Sequence, residues 1–349
     1  METSILDLHP GLVWGFAILV VIMLLLDLGI FNKKSHVVTS KEATIWSVVW
    51  ISLSMAFSGV VYWVFNQDAG GHAVAVEKFT QYQAAYWIEK ALSIDNLFVF
   101  ILVFGYFKVP KHLHHKVLFW GIIGALVFRA IFIFAGVGII NITYIKSSVG
   151  WLGSTEPINV VLTIFGLFLI YAGIKSWGGG DDEEDKDFSN SAGANLVKRL
   201  YKVSDNYDGD KFFTIQNGVK IATPLLVVVA VIEFTDVIFA VDSIPAIFAI
   251  SKDPFILYTS NIFAILGLRS LYFLLANFIH MFSKLPYGLA VILTFIGVKM
   301  IISPWIHISS PISLGIVGGV LIIAVLLSVM FPDKKTDEEV IEDMTEDKL

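Results

Sequence analysis

The stretch Glu233-Phe-Thr-Asp236-Val-Ile-Phe-Ala-Val-Asp242-Ser243-Ile-Pro245 places three carboxylates and a proline inside one apolar run, which extends from residue 224 to residue 250. A run of this length can cross a bilayer. On translocon scales, one ionised Asp at the centre of a membrane helix costs about 2.5 to 3.5 kcal/mol. Three acids in one such helix therefore indicate a functional site within the membrane.

A second stretch upstream repeats the pattern. In both copies an acid is followed, after five residues, by Asp and then by a small polar residue, as in Glu89-Lys-Ala-Leu-Ser-Ile-Asp95-Asn96 and Asp236-Val-Ile-Phe-Ala-Val-Asp242-Ser243. Two acid pairs at one spacing inside apolar runs predict a single, duplicated site.

The composition is that of a membrane protein. Of the 349 residues, 56% are hydrophobic and 15% are charged, whereas an average soluble domain has about 25% charged residues. The chain has no cysteine, which excludes disulfides, thiolate metal ligands and cysteine nucleophiles. Nothing in the sequence resembles a nucleic-acid-binding surface. The fold class predicted is an all-α polytopic membrane protein.

Apolar runs of about 17 to 25 residues predict nine transmembrane helices. They lie near 12–31, 43–65, 81–107, 116–140, 157–177, 221–250, 256–279, 287–303 and 312–331. Residues 1–331 are thus predicted to form one transmembrane domain, with a cytoplasmic linker at 178–219 and an acidic cytoplasmic tail at 332–349. The linker contains an acidic run at 181–187 and a short amphipathic helix predicted at 195–203. No small-residue cleavage site follows the first run, so we expect a retained span and not a signal peptide.

The basic residues of the connections predict the orientation. Fifteen Lys and Arg residues lie in the odd-numbered connections and the tail, and three lie in the even-numbered connections. Basic residues accumulate on the cytoplasmic side of a membrane. We therefore expect the N-terminus outside and the C-terminus in the cytoplasm.

The duplication extends beyond the acid motif. Corresponding segments are Gly124-Ala-Leu-Val-Phe-Arg129 with Ala264-Ile-Leu-Gly-Leu-Arg269, and Leu162-Thr-Ile-Phe-Gly166 with Leu293-Thr-Phe-Ile-Gly297. Helices 3–5 (about 81–177) and helices 6–8 (about 221–303) are therefore predicted to be repeats. Because corresponding helices are three spans apart, the copies insert in opposite directions. This is the inverted-repeat plan of many secondary transporters, which work by alternating access.

The acids of the predicted spans are candidate metal ligands. The metal-ligand candidates are Glu89, Asp95, Asn96, Glu233, Asp236, Asp242 and Ser243. The residues assigned a coupling or vestibule role are Asp27, Arg129, Asn261 and Arg269. Carboxylate, amide and hydroxyl oxygens suit Mg²⁺, Ca²⁺ or Mn²⁺ better than Zn²⁺ or Cu²⁺.

Two features predict where the ligands converge. Helices three and six are counterparts that cross near the pseudo-two-fold axis, so Asp95 and Asp242 are expected to meet at one midplane site. Pro245 cannot donate the helical hydrogen bond and leaves the carbonyl of Val241 available to a cation. Phe98 stands where the first copy would have this proline, so the site need not be symmetric.

An alternative interpretation is that the acids neutralise basic residues in interhelical ion pairs. The basic residues that the acids could neutralise are Arg129, Arg269, Lys90, Lys175, Lys220 and Lys299. For the two arginines this alternative and a coupling role stay open, since matched arginines could hold acids of the other repeat. The duplicated Asp95 and Asp242 favour a functional role.

The motifs quoted above resemble those of the TerC family of integral membrane proteins and its Alx-like branch. Two further stretches carry the resemblance, namely Ala240-Val-Asp242-Ser243-Ile-Pro245-Ala-Ile-Phe-Ala and Thr259-Ser-Asn261-Ile-Phe-Ala-Ile-Leu-Gly-Leu-Arg269-Ser-Leu-Tyr-Phe. The resemblance covers residues 12–331. It implies a bacterial inner-membrane protein related to the LysE transporter superfamily, with manganese export as the leading activity. It also implies that Glu89, Asp95, Asp236 and Asp242 handle the metal.

Two functions from different classes follow. The first is a divalent-cation exporter with Mn²⁺ as the leading substrate and Ca²⁺ or Mg²⁺ as alternatives, working by alternating access with protons as a candidate coupling ion. The second is a membrane scaffold or insertion factor whose buried acids serve assembly. No prosthetic group and no enzymatic activity are predicted, because no nucleophile–base pair or cofactor motif accompanies the acids.

Overall fold

The chain is built almost entirely from helices. The computed structural model describes residues 9–31, 39–68, 70–145, 149, 154–177, 188–216, 218–277 and 284–331, without the side chains of 26–31, 95, 242 and 277. The helices are α1 (Pro10–Phe31), α2 (Ser40–Phe65), α3 (Gly71–Tyr106), α4 (Lys111–Ile142), α5 (Val160–Trp177), α6 (Ala192–Leu200), α7 (Pro224–Phe248), α8 (Pro254–Leu266), α9 (Leu268–Asn277), α10 (Leu285–Ile302) and α11 (Ser310–Met330). The strands form two antiparallel pairs, β1 (Tyr144–Ile145) with β2 (Ile158–Asn159) and β3 (Phe213–Gln216) with β4 (Val219–Ala222).

Each predicted apolar run contains helix, but not every helix meets a strict test for a membrane span. Among the described residues, six helices are long and apolar enough to cross a membrane, or seven if α8 and α9 form one bent span. Helix α1 qualifies only as a shorter apolar helix, over Pro10–Leu25. Helix α3 carries charged residues along its length, among them Glu77, Lys78, Glu89 and Lys90. The protein is therefore a helical multi-pass membrane protein, and nine spans remain a prediction.

The seventh predicted span is broken. Helices α8 and α9 are bent by 41° at a break occupied by Gly267. Helix α7, in contrast, continues through Pro245 to Phe248. The break therefore lies at a glycine against which another helix packs, whereas α7 is not interrupted at Pro245.

Helix α3 lies at the centre of the bundle. It is 36 residues long and contacts α2, α7, α8, α9, α10 and α11. Its first turns are polar and pair with the connection between α7 and α8: Lys78 Nζ lies 2.6 Å from Asp253 Oδ2, and Ser251 Oγ donates to Gln81 Oε1 at 2.9 Å. Asp253 also accepts hydrogen bonds from the first amides of α8 and so caps that helix. These contacts explain why α3 begins ten residues before the apolar run predicted from 81.

Helices α5 and α10 make the most extensive helix contact and meet at two glycines. A Cβ at Gly297 would lie 2.5 Å from the Gly166 carbonyl oxygen, and a Cβ at Gly166 would lie 2.8 Å from the Gly297 carbonyl oxygen. We call this reciprocal contact the glycine seam. The two glycines are the ones that the sequence comparison of the predicted repeats had matched.

We expect Gly297→Ala to lower the midpoint of thermal unfolding in detergent. The new methyl group meets backbone, which cannot rotate away, and overpacking of this kind costs about 1–3 kcal/mol. Gly318→Ala in α11 is the matched control, since a Cβ there has nothing within 4 Å. Alanine also has the higher helix propensity, so this control should be neutral or slightly stabilised. Equal midpoints for both variants would contradict the tight packing of the seam.

The segment between α5 and α7 folds against the end of the bundle where α3 ends and α4 begins. Tyr207 Oη donates to the carbonyl of Phe107 at 2.9 Å, and Lys116 Nζ donates to Asp210 Oδ2 at 3.0 Å, which lowers the pKa of the Asp210 carboxyl. The short amphipathic helix predicted at 195–203 is α6, which begins three residues earlier, at Ala192. The acidic run at 181–187 and the tail at 332–349 lie outside the described residues.

Candidate functional site

The guanidinium group of Arg129 is the centre of the buried polar cluster. Arg129 lies on α4, and its side chain is completely inaccessible to solvent. It forms an ion pair with Glu89 on α3, which is equally inaccessible, and its Nη2 lies 3.6 Å from Asp236 Oδ1 on α7. A buried arginine needs compensating charge, and the two carboxylates supply it, although Nε and Nη2 of Arg129 have no hydrogen-bond partner among the described residues. One basic side chain therefore holds an acid from each of the two duplicated motifs.

Neutral side chains complete this cluster. Asn261 on α8 donates through Nδ2 to Glu89 Oε2 at 2.9 Å and accepts from Arg129 Nη1 at 3.3 Å. Ser243 Oγ on α7 accepts from the same Nη1 at 3.4 Å, and Ser93 Oγ donates to Glu89 Oε1 at 3.3 Å. Helices α3, α4, α7 and α8 thus meet through hydrogen bonds inside the apolar part of the protein.

Two carboxylates of α7 retain oxygens that no described residue satisfies. Glu233 Oε2 and Asp236 Oδ2 are buried and have no hydrogen-bond partner among the described side chains and backbone. The Glu233 carboxylate occupies the space that a side chain at Gly124 would need, since a Cβ there would overlap it. Asp236 and Arg269 line a small cavity of about 10 Å³ between α4, α7 and α9, about the size that one water molecule needs. The cluster therefore has spare acceptor capacity.

Lys90 is a second buried cation, next to Glu89 in the sequence but facing another helix. Its ammonium group donates to the carbonyl of Ala264 at 3.3 Å and lies 2.6 Å from the position that a Cβ of Gly267 would take. The glycine at the break between α8 and α9 therefore makes room for a charged group. The sequence had placed Lys90 among the ion-pairing residues only.

The structure describes some of the predicted site residues and not others. It brings together Glu89, Asp236, Ser243, Arg129 and Asn261, as described above. Asn96 is buried, and its Nδ2 has no partner among the described residues. The side chains of Asp95, Asp242 and Asp27 lie outside the described residues. Within the described part, no three His, Asp or Glu side chains are close enough together to bind a metal ion. The metal assignments therefore stay predictions.

The contacts of Arg129 bear on both interpretations of the arginines. Arg129 belongs to the first predicted repeat and contacts Asp236, Ser243 and Asn261 of the second. This is the arrangement expected of an arginine that holds acids of the other repeat, and it is also an interhelical ion pair. Sequence reasoning did not include Ser93, although its position four residues after Glu89 places both on one helix face.

A large cavity with a mixed polar and apolar lining lies at the end of the bundle where α1 begins. Its volume is about 1110 Å³, and it is bounded by the connections α2–α3, α7–α8 and α10–α11. Its charged lining residues are Asp68, Glu77, Lys78, Glu156, Lys252, Asp253 and Lys299. Its lining also includes Ile262, the neighbour of Asn261 in α8. Asp27 is near the opposite end of α1, whose cavity-lining residues are Val13, Phe16, Ala17 and Val20.

A bundle of apolar helices with a buried charged cluster defines a multi-pass integral membrane protein. The chain belongs to the TerC family of integral membrane proteins, whose family model matches residues 74–336. It is 42% identical over 330 residues to an uncharacterized membrane protein of Myxococcus xanthus, an alignment that covers 95% of each chain. It is 44% identical over 322 residues to a protein of Escherichia coli K12 called Alx, covering 91% of this chain and 94% of that one.

Further relatives carry the same name. A protein of Photorhabdus laumondii, also called Alx, is 41% identical over 329 residues, which is 94% of this chain and 97% of that one. Both proteins named Alx are provisionally described as membrane-bound redox modulators. No solved structure matches the chain. The comparisons thus establish the family and the membrane location in bacterial relatives.

Proposed function

We propose that this protein exports a divalent cation, with Mn²⁺ as the leading substrate and Ca²⁺ and Mg²⁺ as alternatives. The observation that carries the proposal is the convergence of Glu89 and Asp236, one acid from each duplicated motif, on Arg129 within the membrane helices. Ionisable side chains inside a membrane bundle commonly mark ion pathways. The oxygen donors that surround the cluster are those that hard divalent cations prefer.

Glu89 and Asp236, the two acids that contact Arg129, are each followed in their helix by a second acid six residues further on. These second acids are Asp95 in α3 and Asp242 in α7. We assign the cation site to them, with Asn96 and Ser243 as neutral ligands. Glu89, Asp236 and Glu233 would complete the ligand set, and Arg129 would neutralise the first two when no cation is bound. Asn261, Arg269 and Asp27 keep the coupling or vestibule roles.

Two observations support alternating access by an inverted repeat. The glycine seam joins corresponding positions of the two predicted repeats in a reciprocal way, as a pseudo-two-fold axis between α5 and α10 would require. Arg129 connects the same two repeats. Inverted repeats that rock about a central site are the basis of alternating access in secondary transporters. Kinship with the LysE superfamily is part of this proposal.

We further propose an inner-membrane location with the N-terminus outside. In this orientation the 1110 Å³ cavity opens to the outside and forms the exit vestibule. Two carboxylates brought together in a dry site repel each other, so at least one holds a proton until a divalent cation displaces it. Metal binding should therefore weaken as the pH falls, and proton entry could drive metal export.

Metal uptake by everted membrane vesicles tests the proposal. Vesicles that contain the protein should take up Mn²⁺ faster than vesicles without it, and an imposed pH gradient with an acidic interior should increase the rate further. A protonophore should remove that increase and leave the basal rate. Equal uptake with and without the protein would contradict export. The proposed orientation places Lys34 in the cytoplasm. Labelling of a Lys34→Cys variant in intact cells by an impermeant reagent would therefore contradict it.

A membrane scaffold or insertion factor is the second candidate function. It is favoured by the ion pairs of Arg129, because these contacts join four helices and could serve assembly alone. The description of the relatives as redox modulators does not point to a thiol group in this chain, since the chain has no cysteine. The variants discussed below distinguish transport from assembly.

A further inference from the structure

We infer that α6 is a membrane-surface helix that binds anionic phospholipid through its exposed face. Helix α6 packs against α7, and its exposed side chains, apart from Asn195, are apolar or basic. This lipid binding does not depend on the proposed export activity.

The contact between α6 and α7 fixes the depth of α6. Gly193 packs directly on the α7 backbone, because a Cβ there would lie 2.4 Å from the Ala230 carbonyl oxygen. Ala230 is six residues from Pro224, where α7 begins, which is about 9 Å along a helix. The 25 residues of α7 extend about 37 Å, about 7 Å more than the hydrocarbon core. Even if all of this excess length extends out of the hydrocarbon core at the start of α7, Ala230 still lies at the boundary of the core. The contact between α6 and α7 therefore reaches the hydrocarbon boundary.

The exposed side chains of α6 are those of an interfacial helix. Gly193, Ala194 and Val197 form the buried face. Leu196 and Leu200, one turn apart, are 44% and 64% exposed. A helix at the membrane boundary places such apolar side chains about 5–10 Å into the layer of headgroups and first acyl carbons. The two leucines would therefore be covered by lipid and not by water.

The charged side chains in α6 and directly after it are basic. Lys198, Arg199 and Lys202 are exposed, and no Asp or Glu occurs between 188 and 204. Long basic side chains at a membrane surface reach outward to phosphate groups while their stems cover apolar surface. This charge selects anionic phospholipid, and not a neutral lipid surface, as the partner.

The β3–β4 hairpin extends the same surface. The ring of Tyr201, directly after α6, contacts the ring of Phe213 in β3 with centroids 5.1 Å apart. Lys220 Nζ of β4 lies 4.4 Å from the centroid of the Phe213 ring. Ile215 is 75% exposed and pairs with Lys220 in the hairpin. The hairpin thus adds a further apolar side chain and a further cation beside α6.

Single cysteines test the inference in the full chain, which has no native cysteine. Leu200→Cys and Asn195→Cys are labelled with an environment-sensitive fluorophore and reconstituted into phosphatidylcholine vesicles with or without phosphatidylglycerol. Asn195 is the matched control, since it is exposed on the other side of α6. With spin-labelled phospholipid as quencher, we expect at least about threefold stronger quenching at 200 than at 195, because only one face of an interfacial helix enters lipid.

The charge requirement is tested in the same assay. Arg199→Glu with Lys202→Glu should reduce lipid quenching at 200 in vesicles that contain phosphatidylglycerol and leave it unchanged in pure phosphatidylcholine. Equal lipid quenching at 195 and 200 would overturn the inference. A label at 200 that is shielded both from lipid and from aqueous iodide would also overturn it, since another protein surface would then cover this face.

Discussion

Asp95→Asn and Asp242→Asn should each lower manganese efflux by at least about 100-fold, because even residues that only orient metal ligands change affinity by 10- to 100-fold. The substitution removes a charge and nearly preserves the volume, so insertion into the membrane should be retained. Efflux from loaded cells or uptake by everted vesicles, normalised to the amount of inserted protein, measures the effect. Asp208→Asn is the matched control, because Asp208 is a partly exposed acid of the linker.

The graded response of the other acids tests the proposed ligand set. Glu89→Gln and Asp236→Asn should be nearly as severe, whereas Asp27→Asn should be milder. Normal efflux in a well-inserted Asp95→Asn or Asp242→Asn protein would rule out a shared carboxylate site. Normal efflux in both would favour the scaffold function, which tolerates neutral residues wherever assembly is preserved.

Arg129→Gln should destabilise the protein by about 3–5 kcal/mol, the usual cost of removing one partner of a buried ion pair. Glu89 and Asp236 would then face each other without a cation in a dry site. Thermal unfolding of the purified protein in detergent measures the loss. Lys175→Gln, at an exposed position of α5, is the control and should have no such effect. An unchanged unfolding midpoint would show that the two carboxylates do not depend on Arg129.

A double variant separates stability from transport. Adding Glu89→Gln to Arg129→Gln removes one of the uncompensated charges and should restore part of the stability. If Glu89 serves only to hold Arg129, the restored protein should also regain transport. If Glu89 is a cation ligand, the double variant should be stable and inactive. If the protein is a scaffold, its stability and its function in assembly should return together.

The positions of the helices followed from the sequence because long apolar runs and their charged flanks depend on local composition. The fifth predicted span, 157–177, and α5 differ by three residues at one end, and the last span and α11 differ by one or two residues at each end. The start of α3 was missed because its first turns are polar. They are stabilised by Asp253 and Ser251, which lie more than 160 residues away in the chain.

The break at Gly267 and the arrangement around Arg129 depend on contacts between distant segments. A single Gly in an apolar run is common in membrane helices, and this one is distinguished by the side chains of Lys90 and Trp50 that pack against it. The duplicated motifs predicted that acids of α3 and α7 are functionally related. They could not predict that Arg129 lies between Glu89 and Asp236, because that depends on how α4 packs between the two helices.

The glycine seam also restricts where a hydrated ion can pass. At Gly166 and Gly297 the backbones of α5 and α10 touch without side chains between them, so this interface has no room for a column of water. Polar side chains are found instead among α3, α4, α7 and α8, and the large cavity is lined by residues of α3, α4 and α8 but reaches α10 only at Lys299. A permeation pathway through this protein would therefore run along the α3 side of the bundle, with the α5–α10 pair as a dry wall behind it.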